Sequence, residues 1–488
     1  MPLGIKVTTG ETSGSAGSSI VTGTAFIIGL ADWGVFTPTL VRSAAGYLAA
    51  FGERTATSSK LFDAVETFFQ LGGERAYIQR CGKEASGEKA KPAAQLKGAS
   101  HAEQIKVVAK YVGTLGNKLK IEVVENEAKT EYEVLILNEA SELLETTGLL
   151  KEAKQLVGKS SAWVTYAEGT KFAEGETEKL EKLTAKAFSG GTNPAASITS
   201  ALAKESLELL PKTLGPGQVL IPSVTGEPTE EATHKLMGEH SEKNNRVALC
   251  DLTDSSSSTT LVSNKKTYAN NIAAYMEFHS SSCIIPGVTL GTTRTVAGSA
   301  VVAGLCAQVA KTENDNLAPA GVTYSLAPFV TGFTNTFSLT QMQTLGENGI
   351  NAFAERQSKP VLYNFVSAIP VTTDKIFWQF SASRERMHLV WAAEEIAETY
   401  LFKQIDGRKQ LLGRFQGALG AMLGRQWTLG ALYGETAAEG GVVYVGEPIN
   451  TPTTIAEGQL NAELKVRISP FAESIAITII SSPITEAI

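Results

Sequence analysis

At 488 residues the chain is too long for a single hydrophobic core and predicts two to four domains. Its 43% hydrophobic and 19% charged residues are those of an ordinary globular protein. A net charge of −7 argues against a nucleic-acid or anionic-membrane binder, which needs a concentrated basic face. Cys81, Cys250, Cys283 and Cys306 lack CxxC spacing and suit buried reduced thiols of a protein made in the cytosol. The first residues carry no basic stretch followed by an apolar core, so no secretion signal is expected. The apolar run Val296 to Ala310 is too short to span a bilayer.

Leu3-Gly-Ile5-Lys-Val7 reads as a short alternating strand, separated from the rest of the chain by the Gly/Ser tract Gly10 to Ser19. A tethered strand exposes unpaired N–H and C=O groups and buries little. Either it folds back on its own domain or it completes a sheet in another molecule. Ile20 to Leu30 predicts a buried strand, Asp32 to Gly34 a turn, and Phe36 to Val41 an extended stretch. Helices are predicted over Ser43 to Phe51 and Leu61 to Leu71, the second carrying Leu61, Val65, Phe68 and Phe69 at helical spacing. Gly72-Gly73 ends it, and Ala76 to Arg80 returns as a strand, giving a β-α-β unit.

Lys83 to Gly98 is charged and small, the composition of a linker. Ile105 to Tyr111, Leu119 to Val124, Tyr132 to Leu137, Ser161 to Ala167 and Glu181 to Phe188 are short strands between turn signals, which predicts an inserted, outward-facing β-sandwich or barrel. From Ser197 the α/β texture resumes: Val219 to Ser223 and Arg246 to Leu252 as strands, Glu230 to His240 and Tyr268 to Glu277 as helices. Cys283 to Val288 comes next as a strand and Ala297 to Thr312 as a small-residue helix. The last third predicts a helix over Arg384 to Gln404, a break at Gly407, and a second helix over Arg408 to Trp427. Leu411, Leu412, Phe415, Leu419, Met422 and Leu423 form the second helix's apolar side. Gly413, Gly417, Gly420 and Gly424 permit close packing against a neighbour, at roughly 1 kcal/mol each in helix propensity. Leu460 to Ile468 alternates as a strand, and Ile475 to Ile479 comes after Pro470.

Little of this carries chemistry. Ala153 to Ser160 matches a loose phosphate-loop pattern around Lys159, but such a loop needs a strand before it and a helix after it. Here the order is helix then strand, so the match reads as coincidence. His101, His234, His240, His279 and His388 are too dispersed for a metal or catalytic cluster, and His234 and His240 read as surface residues. Cys283 near His279 reads as a structural thiol, and neither GxSxG nor HExxH occurs. Lys403, Arg408, Lys409, Arg414 and Arg425, opposed only by Asp406, are either a solvated helix face or a docking face for an acidic partner.

An ordered series of segments resembles the contractile-tail sheath proteins of myophage-type viruses and related injection machines. It runs through Ala25 to Gly34, Pro38 to Phe51, Leu61 to Arg80, Ala109 to Asn117, Phe188 to Thr192, Leu345 to Asn351 and Trp427 to Gly434, and includes the helix pair and terminal strands. The resemblance covers nearly the whole chain. It implies an α+β multidomain fold: an N-terminal arm (1–20), an interrupted α/β domain (21–90 and 195–365), an inserted β domain (100–192), a C-terminal core with two long helices (366–470) and a C-terminal arm (471–488). It further implies a helical homopolymer around a tail tube protein, bounded by baseplate and tail terminator proteins. No cofactor, catalytic residue, direct nucleic-acid contact or membrane insertion is implied.

On that resemblance, Leu3, Ile5, Val7, Leu464, Val466, Ile468, Ile475, Ile477 and Ile479 are the residues of strands exchanged between subunits. Lys403, Arg408, Lys409, Arg414 and Arg425 are the candidate tube contact. The expected place is a virion tail, assembled in the host bacterial cytoplasm. Other readings are the sheath of a non-viral injection system or tailocin and, from a different class, a nucleotide hydrolase centred on Lys159.

Overall fold

Ala25–Gly29 (β1), Thr39–Val41 (β2), Ala44–Phe51 (α1), Ser59–Gln70 (α2) and Ala76–Arg80 (β3) open the fold of the computed structural model. It describes residues 22–98, 103–169, 179–222, 229–370 and 373–472. The Gly/Ser tract, Leu3, Ile5, Val7, His101, Ile475, Ile477 and Ile479 lie outside those residues. β1 pairs parallel with β3, Ala25 opposite Ala76 through Gly29 opposite Arg80, and β2 lies antiparallel on the far side of β3. Ser43 starts α1 by accepting the Gly46 amide on its hydroxyl. Gly72, at φ +115°, turns the chain off α2.

The stretch expected to be a linker, Lys83 to Gly98, is instead structured. It supplies two short strands, Lys91–Pro92 (β4) and Leu96–Lys97 (β5), to the β unit next in the chain. That unit adds Glu103–Ala109 (β6), Lys120–Glu125 (β7), Tyr132–Leu137 (β8), Leu143–Thr146 (β9), Val164–Glu168 (β10) and Leu183–Ser189 (β11). The strands form an antiparallel five-stranded sheet ordered β4-β11-β7-β8-β9 and a three-stranded sheet ordered β10-β6-β5. Alternation puts Val107, Ile121, Val134, Tyr166 and Phe188 into one core. Trp33, from the turn after β1, enters the same core, edge-on to Tyr111 at 5.1 Å.

Ser200–Glu208 (α3), Gln218–Leu220 (β12), Thr229–Asn244 (α4), Val247–Asp251 (β13), Ser258–Asn264 (α5), Asn270–Ala273 (α6) and Met276–His279 (β14) complete the first layer. The region expected to be helical to Glu277 is helical for only four residues. Met276 to His279 then forms the outer strand of the sheet, pairing parallel with β13. The six strands run β14-β13-β12-β1-β3-β2, all parallel except β2. Because both faces are covered, β1 reads as an unbroken apolar run. Ala25 and Ile27 pack with Leu61, Val65 and Phe68 of α2. Phe26 and Ile28 pack with Ala203 and Leu207 of α3 and Met237 of α4.

Cys283–Pro286 (β15), Thr293–Val296 (β16), Gly298–Thr312 (α7), Gly332–Phe333 (β17), Leu339–Glu347 (α8), Phe353–Arg356 (β18) and Lys359–Leu362 (β19) come next. α7 lies on the α2 side of the large sheet, and its Ala and Gly residues allow close contact, Gly304 against Leu71. Phe380–Glu398 (α9), Gln410–Thr428 (α10), Ala437–Gly440 (α11), Gly441–Tyr444 (β20), Pro452–Ala456 (α12) and Glu463–Val466 (β21) build the C-terminal part around its own apolar cluster. His234 and His240, expected at the surface, are both buried. His234 packs edge-on to Phe278 at 5.1 Å, and His240 faces the Arg246 guanidinium at 2.9 Å.

Candidate functional site

α9 and α10 meet through Leu389, Ile396 and Tyr400 on one side and Leu412, Phe415, Leu419 and Leu423 on the other. The Tyr400 and Phe415 rings stand 5.0 Å apart, and the Tyr400 hydroxyl donates to the Arg414 carbonyl at 3.0 Å. Asp406 turns the chain between them. Its carboxylate accepts the Arg408, Gln410 and Leu411 amides at 3.0, 3.3 and 3.1 Å. Those amides, the Leu411 one foremost, and the Arg408 charge hold its carboxyl below the usual carboxylate range. Asp406 therefore holds the first turn of α10 from outside the helix, three residues before its N-cap Lys409, before it is a counter-charge to the basic residues.

Lys403, Arg408, Lys409, Arg414 and Arg425 are all exposed. Lys403 sits over the Tyr400 ring at 4.5 Å, and Arg408 lies 3.9 Å from Asp406. Among the described residues, no carboxylate stands within ion-pair distance of Lys409, Arg414 or Arg425. Arg414 and Arg425 are eleven residues apart, about three helical turns, and so share a face of α10. Gly413, Gly417, Gly420 and Gly424 form a neighbouring strip about a quarter turn round the helix, and a methyl group added at any of the four would meet no atom of the described residues within 4 Å. Among the described residues nothing packs on the glycines. They leave an open strip on α10 with Arg414 and Arg425 to one side of it.

On the opposite side α10 carries the β20–β21 ribbon. Gln416 donates its side-chain amide to the Val443 carbonyl at 2.9 Å, and Gly441 lies against Leu423. Leu464 pairs with Val443 and Val466 with Gly441, while Ile468 bridges Leu432. These three residues, expected in exchanged strands, thus pair with their own chain. Asn450 fixes the connecting loop, donating to the Val445 and Asn461 carbonyls and accepting the Asn461 amide at 2.8 Å. Among the described residues the ribbon has two strands and no third.

The candidate chemistry elsewhere takes structural forms. Ala153 to Leu156 is a single turn of 3₁₀-helix, and the next strand, β10, comes after Lys159. The Lys159 ammonium donates to the Thr147 carbonyl at 2.6 Å. Burial pushes the Cys283 thiol well up, and all four cysteines are buried and free. His279 is fully buried, 3.3 Å from the Glu277 carboxylate. Among the described residues no group of three or more His, Cys, Asp or Glu could hold a metal ion, and no helix is long and apolar enough to cross a membrane.

No protein-family model and no curated protein sequence matches this chain. Solved structures do. The sheath tail protein of Desulfitobacterium hafniense superposes with a TM-score of 0.63 over 87% of this chain and 90% of its own, at 12% identity. The chain has the fold of tail sheath proteins. The sheath tail protein Lin1278 of Listeria innocua gives 0.60 over 87% and 89% at 14% identity. A chain of the anti-feeding prophage baseplate gives 0.58 over 99% and 100% at 13%. At these identities the likeness speaks for the mixed α/β multidomain architecture alone.

Proposed function

We propose that this chain is the structural subunit of a contractile tail sheath, a non-enzymatic protein that polymerises helically around a tail tube. The observation that carries the reading is the match of 87% of the chain to two sheath tail proteins, joined to two surfaces that have no partner among the described residues. The first is the glycine strip of α10. With Lys403, Arg408, Lys409, Arg414 and Arg425 around it, it suits an acidic tube. The second is the β20–β21 ribbon. Leu464 and Val466 lie in its host strand with Ile468 just beyond, and Leu3, Ile5 and Val7 of one neighbour and Ile475, Ile477 and Ile479 of another add to its edges by backbone pairing. The arms are the segments 1–20 and 471–488, flanking the interrupted domain (21–90 and 195–365), the β insert (100–192) and the C-terminal core (366–470).

Each added backbone hydrogen bond contributes about 0.5–1.5 kcal/mol net, so one strand gives a few kcal/mol, repeated at every lattice point. The Gly10 to Ser19 tract lets subunits rotate while strands stay paired. Contraction is then the release of an extended packing into a tighter one, triggered at the baseplate, and consumes no nucleotide. A terminator protein caps the other end, and the assembly forms in the host bacterial cytoplasm as part of a virion tail or of a non-viral injection machine. Deletion of residues 1–12 tests the reading. The truncated chain should melt like the full chain and form no pelletable tubes. Normal tubes from the truncated chain would remove strand exchange by the N-terminus.

A further inference from the structure

Three consecutive residues in the loop after α7, Asn314, Asp315 and Asn316, touch the points where both terminal segments leave the described body. Asp315 and Asn316 are buried. The Asp315 carboxylate accepts the Thr22 hydroxyl at 2.7 Å, and Thr22 is the first described residue after the N-terminal segment. Asn316 donates its side-chain amide to the Ala431 carbonyl at 3.2 Å and to the Ser469 carbonyl at 2.7 Å, close to residue 472, the last one described. Asn314 donates to the Leu429 carbonyl at the end of α10, at 2.9 Å.

The loop is itself anchored from three elements. Arg384 of α9 reaches Asp315 at 3.2 Å and the Cys306 carbonyl of α7 at 2.8 Å. His388 of α9 meets Asp315 through Nδ1 at 2.9 Å, and its Nε2 meets the Gln426 amide of α10 at 2.8 Å. The N-terminal root is held on its other side too: a side chain at Gly23 would collide with the Ala307 backbone of α7 at 2.9 Å.

We infer that the loop Asn314–Asn316 is a clasp that ties the roots of the two arms to each other and to the helix pair, so that strain entering through one arm passes directly to the other. This rests on the sheath reading for its consequence in the polymer, where each arm would reach a different neighbour. Its physical content concerns the monomer alone. Thr22 and Asp315 are 293 positions apart in the chain, and Asn316 and Ser469 are 153 apart. The clasp thereby closes two long loops with buried hydrogen bonds. The one to the Asp315 carboxylate is charge-assisted, roughly twice as strong as a neutral one. The clasp thereby fixes the chain at Thr22 and at Ser469.

The test reads one root while perturbing the other, by hydrogen–deuterium exchange on the monomeric full chain. Thr22→Val keeps the shape of the side chain and removes only its hydroxyl from Asp315. Exchange at the Ser469 amide, which is bonded to the Ala431 carbonyl, and at the Tyr433 amide, bonded to Arg467, should then rise about tenfold. Asn316→Ala should raise exchange around Thr24 and Ala25 in return. Lys83→Ala, which breaks an exposed ion pair with Glu205, should do neither. Unchanged exchange at Ser469 and Tyr433 in Thr22→Val, with the protein folded, would overturn the clasp whatever the polymer does. If Asn316→Ala fails to fold, Thr22→Val alone decides. In assembly, both variants should give tubes at least about threefold shorter under the same shear; failure of the unmodified chain to form tubes would instead count against the sheath reading.

Discussion

Arg80 ends β3 wholly buried, and its guanidinium donates to the Ala31, Gly34 and Val112 carbonyls at 2.9, 2.6 and 2.8 Å while covering the Phe36 ring. Burial draws its pKa down to about 10, still charged at neutral pH. Arg80→Met would leave three enclosed carbonyls without a donor and should cost about 3 kcal/mol or more, read as a lower urea midpoint. His240 behaves in the opposite sense. Its Nε2 accepts from Arg246, and burial, with Arg246 beside it, holds its pKa down at about 3; burial alone holds His234 at about 4. Both rings are neutral when folded and titrate near 6.5 when unfolded, so below that value the unfolded chain binds more protons. Stability should therefore fall as pH drops from about 6.5 toward 4, and His240→Gln should flatten that slope in urea titrations at successive pH values. An unchanged slope would mean that carboxylates elsewhere govern the acid response. Sequence spacing puts both histidines at the surface, since their partners, Phe278 and Arg246, belong to segments that fold over the helix.

α10 makes a prediction with two opposite signs. Gly417→Ala with Gly420→Ala adds methyl groups that meet nothing, so the isolated chain should gain about 1–2 kcal/mol from helix propensity and melt higher. If the strip seats the tube, the same variant should bind it more weakly in co-sedimentation. Higher stability with undiminished binding would assign the strip no docking role. At the head of the helix, Asp406→Ala removes three amide contacts and should bring the loss of helical signal to a lower temperature. The helix itself was legible in the spacing of Leu411, Leu412, Phe415, Leu419 and Leu423, because a packed helix must show an apolar stripe. That its glycines face open space was not, since four-residue spacing is the same for a buried seam and a bare one. Met276 to His279 misled for a different reason: Met-Glu-Phe-His alternates over only four residues directly after a helix-like run, too short a pattern to set against it, and Glu277 and His279 are buried although the strand lies at the edge of the sheet.

At the scale of the molecule, the β unit is not a loose appendage. Trp33 sits in its core, and Asp32 beside it accepts from Thr55, Thr114 and Asn193, joining the α2 approach, the β unit and the return to α3. Trp33→Ala should cost about 3–5 kcal/mol and split a single unfolding transition into two, measured by calorimetry. The interruption of the α/β layer was legible because its composition and strand spacing change at Lys83 and again at Ser197. The joint was not, for its partners lie far apart in the chain, Asp32 and Asn193 by 161 positions. The same holds for the candidate site: the basic residues and the ribbon strand could be named from spacing, whereas the open strip and the clasp at the arm roots exist only once distant segments meet. Polymerisation into a sheath is read most plainly from a negative-stain micrograph of the purified protein: striated hollow tubes of uniform width are expected, and a field of dispersed monomers under conditions where the protein is folded would rule the sheath out.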